Sequence, residues 1–109
     1  MGTFLIFTQI HQVRIVAKKI LREFWEIHPD CEQQLKTWFE DTEKVRWMSP
    51  NKIKEDYPSA SILKDNRIVF NIKGNYYRLI VKIRFDHETI YIRFIGTHKE
   101  YDKIDAQNI

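Results

Sequence analysis

One cysteine, three glycines and three prolines are spread over 109 residues. The lone cysteine, Cys31, excludes an intramolecular disulfide, and it excludes zinc sites of the four-cysteine or two-cysteine, two-histidine kind. It suits a reducing cytoplasm. So little glycine and proline excludes a collagen-like chain or a disordered linker. The apolar stretch Phe4-Leu5-Ile6-Phe7 falls far below the ~20 residues that a membrane span needs. It has no basic region before it and no small-residue cleavage site after it, so it is not read as a secretory signal. With no internal repeat and no low-complexity tract, the expectation is a single domain at residues 13–109 behind a leader at residues 1–12. Charge of one sign is scarce too: 18 Lys and Arg stand against 15 Asp and Glu, a formal net charge of +3.

What the chain does have is apolar and aromatic mass. Hydrophobic residues make up 43% of it, with three Trp, seven Phe and five Tyr to fill a core. A chain of this size buries roughly 60–70% of its unfolded surface and folds without staples. The charge is also sorted. Residues 14–60 hold nine basic and nine acidic side chains, whereas residues 61–109 hold nine and six. Between Arg67 and Phe85 lie Arg67, Lys73, Arg78, Lys82 and Arg84 and no acid. Taken alone, such a run is a solvated strand face as readily as a polyanion site.

Periodicity decides how those charges gather. Val13-Arg14-Ile15-Val16 reads as a short strand. Ala17, Leu21, Phe24 and His28 then recur at helical spacing, with Ile20, Trp25 and Ile27 widening the stripe, and Pro29 stops the helix. Pro29-Asp30 opens a second helix whose face is Cys31, Leu35, Trp38, Thr42 and Val45. The short link predicts an antiparallel αα-hairpin. Ser49-Pro50 starts a brief third helix carrying Ile53 and Tyr57, ended by Pro58. From Arg67 the period falls to two. Ile68, Phe70 and Ile72 oppose Arg67, Asn71 and Lys73, and Gly74-Asn75 makes a turn. Tyr77, Leu79, Val81, Ile83 and Phe85 oppose Tyr76, Arg78, Ile80, Lys82 and Arg84. Past a second turn at Asp86-His87-Glu88, Ile90, Ile92 and Phe94 oppose Tyr91, Arg93 and Ile95. The fold class is α+β, with the hairpin on one side of an antiparallel meander. The other side collects Arg67, Lys73, Arg78, Lys82, Arg84 and Arg93 with Tyr76 and Tyr91 between them. Such a face holds single-stranded nucleic acid by phosphate contact and base stacking.

Beyond the last strand, Gly96 permits a sharp exit, and His98 follows it within reach of the cationic face. Other constellations carry less. His28, His87, His98 and Cys31 lack any short ligand spacing, so no metal and no cofactor is expected. Cys31 lies on an apolar stripe, which suits a buried small hydrophobe better than a nucleophile.

Several segments carry a family resemblance together: Arg14-Ile15-Val16, Glu23-Phe24-Trp25-Glu26, His28-Pro29-Asp30 and Asp56-Tyr57-Pro58-Ser59-Ala60. Two longer runs join them: Arg67-Ile68-Val69-Phe70-Asn71-Ile72-Lys73-Gly74-Asn75-Tyr76-Tyr77-Arg78-Leu79 and Tyr91-Ile92-Arg93-Phe94-Ile95-Gly96-Thr97-His98-Lys99-Glu100-Tyr101-Asp102. In this order they resemble the HigB-type toxins of type II toxin–antitoxin modules, in the RelE/ParE superfamily, from about residue 13 to residue 107. Relatives typically begin with Met at the place of Val13, which is why residues 1–12 read as a leader. The resemblance implies a small RelE-like βααβββ domain and an mRNA interferase, an endoribonuclease commonly dependent on the ribosome. It implies as partners messenger RNA, a cognate HigA-type helix-turn-helix antitoxin, and operator DNA through the antitoxin complex only.

Cleavage by 2′-OH attack on the adjacent phosphate needs a base, positive charge on the phosphorane, and an acid for the leaving oxygen. Arg78 matches the strand arginine of RelE-like nucleases and is the expected phosphate stabiliser. His98 matches their C-terminal acid group and is expected to transfer a proton. Lys73 is assigned base or charge stabilisation, and Tyr101 stacking or orientation of the 2′-OH. Arg67, Lys82, Arg84, Arg93, Tyr76 and Tyr91 are the expected RNA contacts. A ParE-like gyrase poison and a non-catalytic RNA-binding module remain alternatives on the same fold.

Overall fold

The change of periodicity at Arg67 marks the passage from the helical layer to the meander in the computed structural model, which describes residues 13–45 and 47–109. The proposed leader, residues 1–12, lies outside the described residues. Strand β1 (Arg14–Val16) passes through Ala17, held in the left-handed region at φ 78°, directly into helix α1 (Lys18–Ile27). His28 breaks the helix before Pro29, and a 3₁₀ turn (Pro29–Cys31) feeds helix α2 (Glu32–Lys44). Helix α3 (Pro50–Asp56) starts on its own proline. The sheet follows: β2 (Ser61–Ile62), β3 (Arg67–Ile72), β4 (Tyr77–Arg84) and β5 (Thr89–Thr97), with a closing helix α4 (His98–Asp102).

The helical stripe lands where its spacing places it. Leu21 and Trp25 of α1 and Leu35, Trp38, Phe39 and Thr42 of α2 are buried, as is Cys31 between the helices. Ile20 and Ile27 do not widen the stripe, being 38% and 76% exposed. Each sits about 100° or more around the helix from Leu21, beyond the arc that the sheet covers. Ile68, Phe70, Ile72, Leu79, Val81, Ile83, Ile90 and Ile92 meet the helices from the sheet. Phe70 is the centre of that contact: Trp38 and Tyr57 meet it edge-on at 5.5 and 5.1 Å between ring centroids, and Trp47 stacks on it at 6.0 Å.

The strand order is β1-β5-β4-β3-β2. The antiparallel meander β3-β4-β5 is present, with β2 added antiparallel to β3. At the opposite edge β1 lies parallel to β5, pairing Arg14 with Thr89, Ile15 with Ile90 and Val16 with Tyr91. The sheet is therefore antiparallel except for this pair.

Alternation fails at one point. Ile80 of β4 faces Phe94, but its neighbour Val81 faces Ile92, so Arg93 is the extra residue of a β-bulge. Every side chain after it changes sides. Ile95 packs against the core, and Phe94 goes to the side away from the helices, the reverse of the sequence assignment. Gly96 is not the exit from the sheet; it sits within β5 opposite Arg78. A Cβ there would lie 2.5 Å from the Phe94 ring and 2.9 Å from Glu100 Oε1, so its bare backbone leaves room for the displaced phenylalanine. The chain leaves the sheet at Thr97, where a capping box starts α4: Thr97 Oγ1 accepts from the Glu100 N–H at 3.1 Å, and Glu100 Oε1 from the Thr97 N–H at 2.8 Å.

Candidate active site

The site grows from the β3–β4 turn. Lys73 and Gly74 both take positive φ, 50° and 61°, and the Tyr76 N–H closes the turn on the Lys73 carbonyl at 3.2 Å. Glycine takes such a φ freely and lysine does not, so the turn needs external support. The helical link supplies it. The Lys73 N–H donates to Gln34 Oε1, and Lys73 Nζ reaches Asp30 Oδ2 at 3.1 Å. The Tyr77 hydroxyl donates to both oxygens of Asp30, at 2.7 and 2.9 Å. The Tyr77 hydrogen bond and Lys73 hold the Asp30 carboxyl below its usual range, and the same bond pushes the Tyr77 phenol up to about 12.

On the far side of the sheet the turn holds Arg78. This side chain is only 9% exposed. Its Nη1 donates to the carbonyls of Asn75 and Tyr77, both at 3.2 Å, and its Nη2 to Asn75 Oδ1 at 2.9 Å. The Tyr101 ring lies over the guanidinium, its centroid 5.8 Å from Cζ. Tyr101 belongs to α4, whose first residue, His98, is fastened to the same turn by its N–H on the Tyr76 carbonyl at 2.9 Å. One helical turn on, Asp102 Oδ2 stands 3.1 Å from His98 Nδ1. Arg78, His98 and Tyr101 thus share the turn end of the sheet side away from the helices, with Tyr76 65% exposed at its rim.

The other expected contacts separate from this cluster. Lys73 is turned toward Asp30, its ammonium 5.6 Å from the Tyr76 ring centre, and does not share the side that carries Arg78. Arg67 is buried at 8%, and its Nε donates to the Ile109 carbonyl at 2.9 Å, with Nη1 3.5 Å from Asp65. The C-terminal segment therefore occupies the arginine that sequence assigned to RNA. Arg84 stands at the other end of β4 with Asp86 and His87, at 3.5 and 3.3 Å. Lys82 and Tyr91 face each other across β4 and β5, and Arg93 is exposed on the bulge. Lys82 and Arg93 have no ion-pair partner among the described residues.

Asn75, Asp102 and Asp30 were not picked out by sequence. Two signals were available: the four-residue spacing of His98 and Asp102, and the Thr97-x-x-Glu100 capping pattern that makes the segment helical. Cys31 is buried against the His28 carbonyl, and burial pushes its thiol up to about 11. That environment suits packing rather than nucleophilic attack. No helix among the described residues is long and apolar enough to cross a membrane.

Residues 31–104 match a family model, HigB_toxin, described as the RelE-like toxic component of a toxin–antitoxin system. The chain is 30% identical over 96 residues to the mRNA interferase toxin HigB of Escherichia coli K12, covering 86% of this chain and 92% of that protein. The mRNA interferases HigB of Escherichia coli O157:H7 and of Shigella flexneri show the same identity and coverage.

Proposed function

The chain belongs to the HigB family of RelE-like toxic components of toxin–antitoxin systems, and on that premise we propose that it is an mRNA interferase, a toxin that cleaves messages. The observation that supports this reading is the convergence of Arg78, His98 and Tyr101 at one end of the sheet side away from the helices. The reaction is transesterification. A 2′-oxygen gives its proton to a water molecule and attacks the neighbouring phosphorus, the bond to the 5′-oxygen breaks, and that oxygen takes up the proton that His98 supplies. The products are a 2′,3′-cyclic phosphate and a 5′-hydroxyl.

Arg78 supplies the fixed positive charge that the phosphorane needs. His98 gives the proton to the departing 5′-oxygen. Asp102 Oδ2 lies 3.1 Å from Nδ1, which leaves Nε2 as the nitrogen free to face the departing oxygen. Tyr101 orients the 2′-OH or stacks on a flanking base, next to the exposed ring of Tyr76. Lys73, paired with Asp30 on the helical side, holds the turn that carries Arg78 and meets RNA only at the rim beside Tyr76. Lys82, Arg93 and Tyr91 carry the RNA strand along β4 and β5, away from the reacting phosphate. Arg67 and Arg84 take part only after exchanging Ile109 and Asp86 for phosphate. The substrate is messenger RNA on the ribosome in the cytoplasm. A helix-turn-helix antitoxin neutralises the toxin and brings operator DNA to the complex.

Induced expression of the wild type and of His98→Ala, with primer extension on abundant messages, tests the reading. Growth arrest with new message ends in the wild type, both lost in the variant, is the expected result. Arrest with intact messages and broken DNA would establish a gyrase poison instead. RNA binding with neither arrest nor cleavage would leave a binding module.

A further inference from the structure

Resting on that reading of Arg78, we propose that Asn75 is a positioning residue that selects which edge of the Arg78 guanidinium meets the phosphate. A guanidinium carries five N–H donors in a rigid plane. Asn75 accepts twice, through its carbonyl from Nη1 and through Oδ1 from Nη2, so one residue clamps the outer end of the fork. The Tyr77 carbonyl takes the second Nη1 hydrogen. What remains is the Nε–H and the other Nη2–H, with no acceptor among the described residues. These two donors are the side-on pair of the fork, spaced for two oxygens of one phosphate. The acceptors on the clamped edge are an amide oxygen and carbonyls, so they fix the geometry and leave the charge uncancelled.

The clamp is built into the fold rather than into Arg78. Asn75 stands in the turn that Gln34 and Asp30 support from the helical side, and Arg78 is 9% exposed. A side chain so enclosed cannot search for its ligand by changing rotamer. Its orientation has to be set in advance, which is what electrostatic stabilisation of a transition state requires.

The test is a mutant cycle in a reconstituted translation reaction, reading the rate of message cleavage against the concentration of programmed ribosomes. Asn75→Ala should lower kcat about 10- to 100-fold, the scale of misplacing a reacting group, with KM changed less. Asn75→Asp keeps both acceptors. It should preserve the geometry but place a negative charge beside the phosphate, so its loss should fall on KM. In Arg78→Lys, which has no fork to clamp, adding Asn75→Ala should cause no further loss. Circular dichroism and thermal melting of each variant identify any change that is merely structural. Wild-type cleavage by Asn75→Ala while Arg78→Ala is inactive overturns the proposal alone. So do losses that multiply in the double variant. Wild-type cleavage by Arg78→Ala overturns both this proposal and the role of Arg78 on which it rests.

Discussion

Strand β4 carries an arginine near each end of its side away from the helices, and the two are held in opposite ways. Arg78 is nearly enclosed, and its hydrogen-bond partners are two carbonyls and an amide oxygen. Arg84 is exposed, and its partners are the carboxylate of Asp86 and the ring of His87, from the turn that immediately follows. Dipoles hold a cation in place and leave its charge for a ligand; a carboxylate partly cancels that charge. The cationic side of the sheet is therefore not a uniform plate. A cation on it serves a polyanion according to what already holds it, and counting basic residues per strand misses this.

Removing the Arg78 end should have the largest effect. His98→Ala should slow message cleavage about 10²–10⁴-fold, the usual range for a proton-transfer group. Arg78→Ala should slow it about 10²–10³-fold, the scale of one lost transition-state donor. Both are read by primer extension. Gly96→Ala disturbs the same end through the backbone. Its Cβ would meet the Phe94 ring at 2.5 Å, so the variant should lose about 1–3 kcal/mol in urea denaturation as Phe94 and α4 shift.

Asp30 supports that end from the helical side, and its effect is read through pH. Its carboxyl is held low, so the stability it adds is complete above the unfolded value of about 3.9 and is lost as pH falls through the lower folded value. Asp30→Asn should flatten the acid limb of a plot of Tm against pH. The Tyr77 phenol is pushed up to about 12, so its contribution is present below the unfolded value of 10.0 and is lost as pH rises toward 12. In Asp30→Asn the phenolate absorbance should appear at lower pH. Least affected is Arg84→Ala, which should cleave within about twofold of wild type, since an exposed pair carries little energy.

The helical layer was legible because each of its core positions is decided locally. Leu21, Trp25, Leu35 and Trp38 recur at helical spacing, and the prolines at 29, 50 and 58 mark the boundaries. Strands β3 and β4 were legible for the same reason, down to the turn at Gly74-Asn75. The failures were all non-local. Nothing in Ile92-Arg93-Phe94 distinguishes a bulge from continued alternation, because the bulge exists only relative to Ile80 and Val81 of the neighbouring strand. Ile27 fits a helical stripe that the sheet does not reach. Arg67 gives no sign of its bond to Ile109, which lies 42 positions away. Arg78 and His98 were placed by resemblance and Arg78 by strand phase; of the groups that hold them, Asp102 was announced only by its spacing from His98, and Asn75 by nothing beyond its place in a turn.

The parallel pairing of β1 with β5 has a consequence for time. Arg14 waits for Thr89, a partner 75 positions later in synthesis. At about 5–20 residues per second, β1 is without its neighbour for roughly 4–15 s after it is made. His98 and Tyr101 follow β5 directly. While still being translated, the chain has Arg78 before it has either of them, so its own ribosome completes most of the domain before the cluster is assembled.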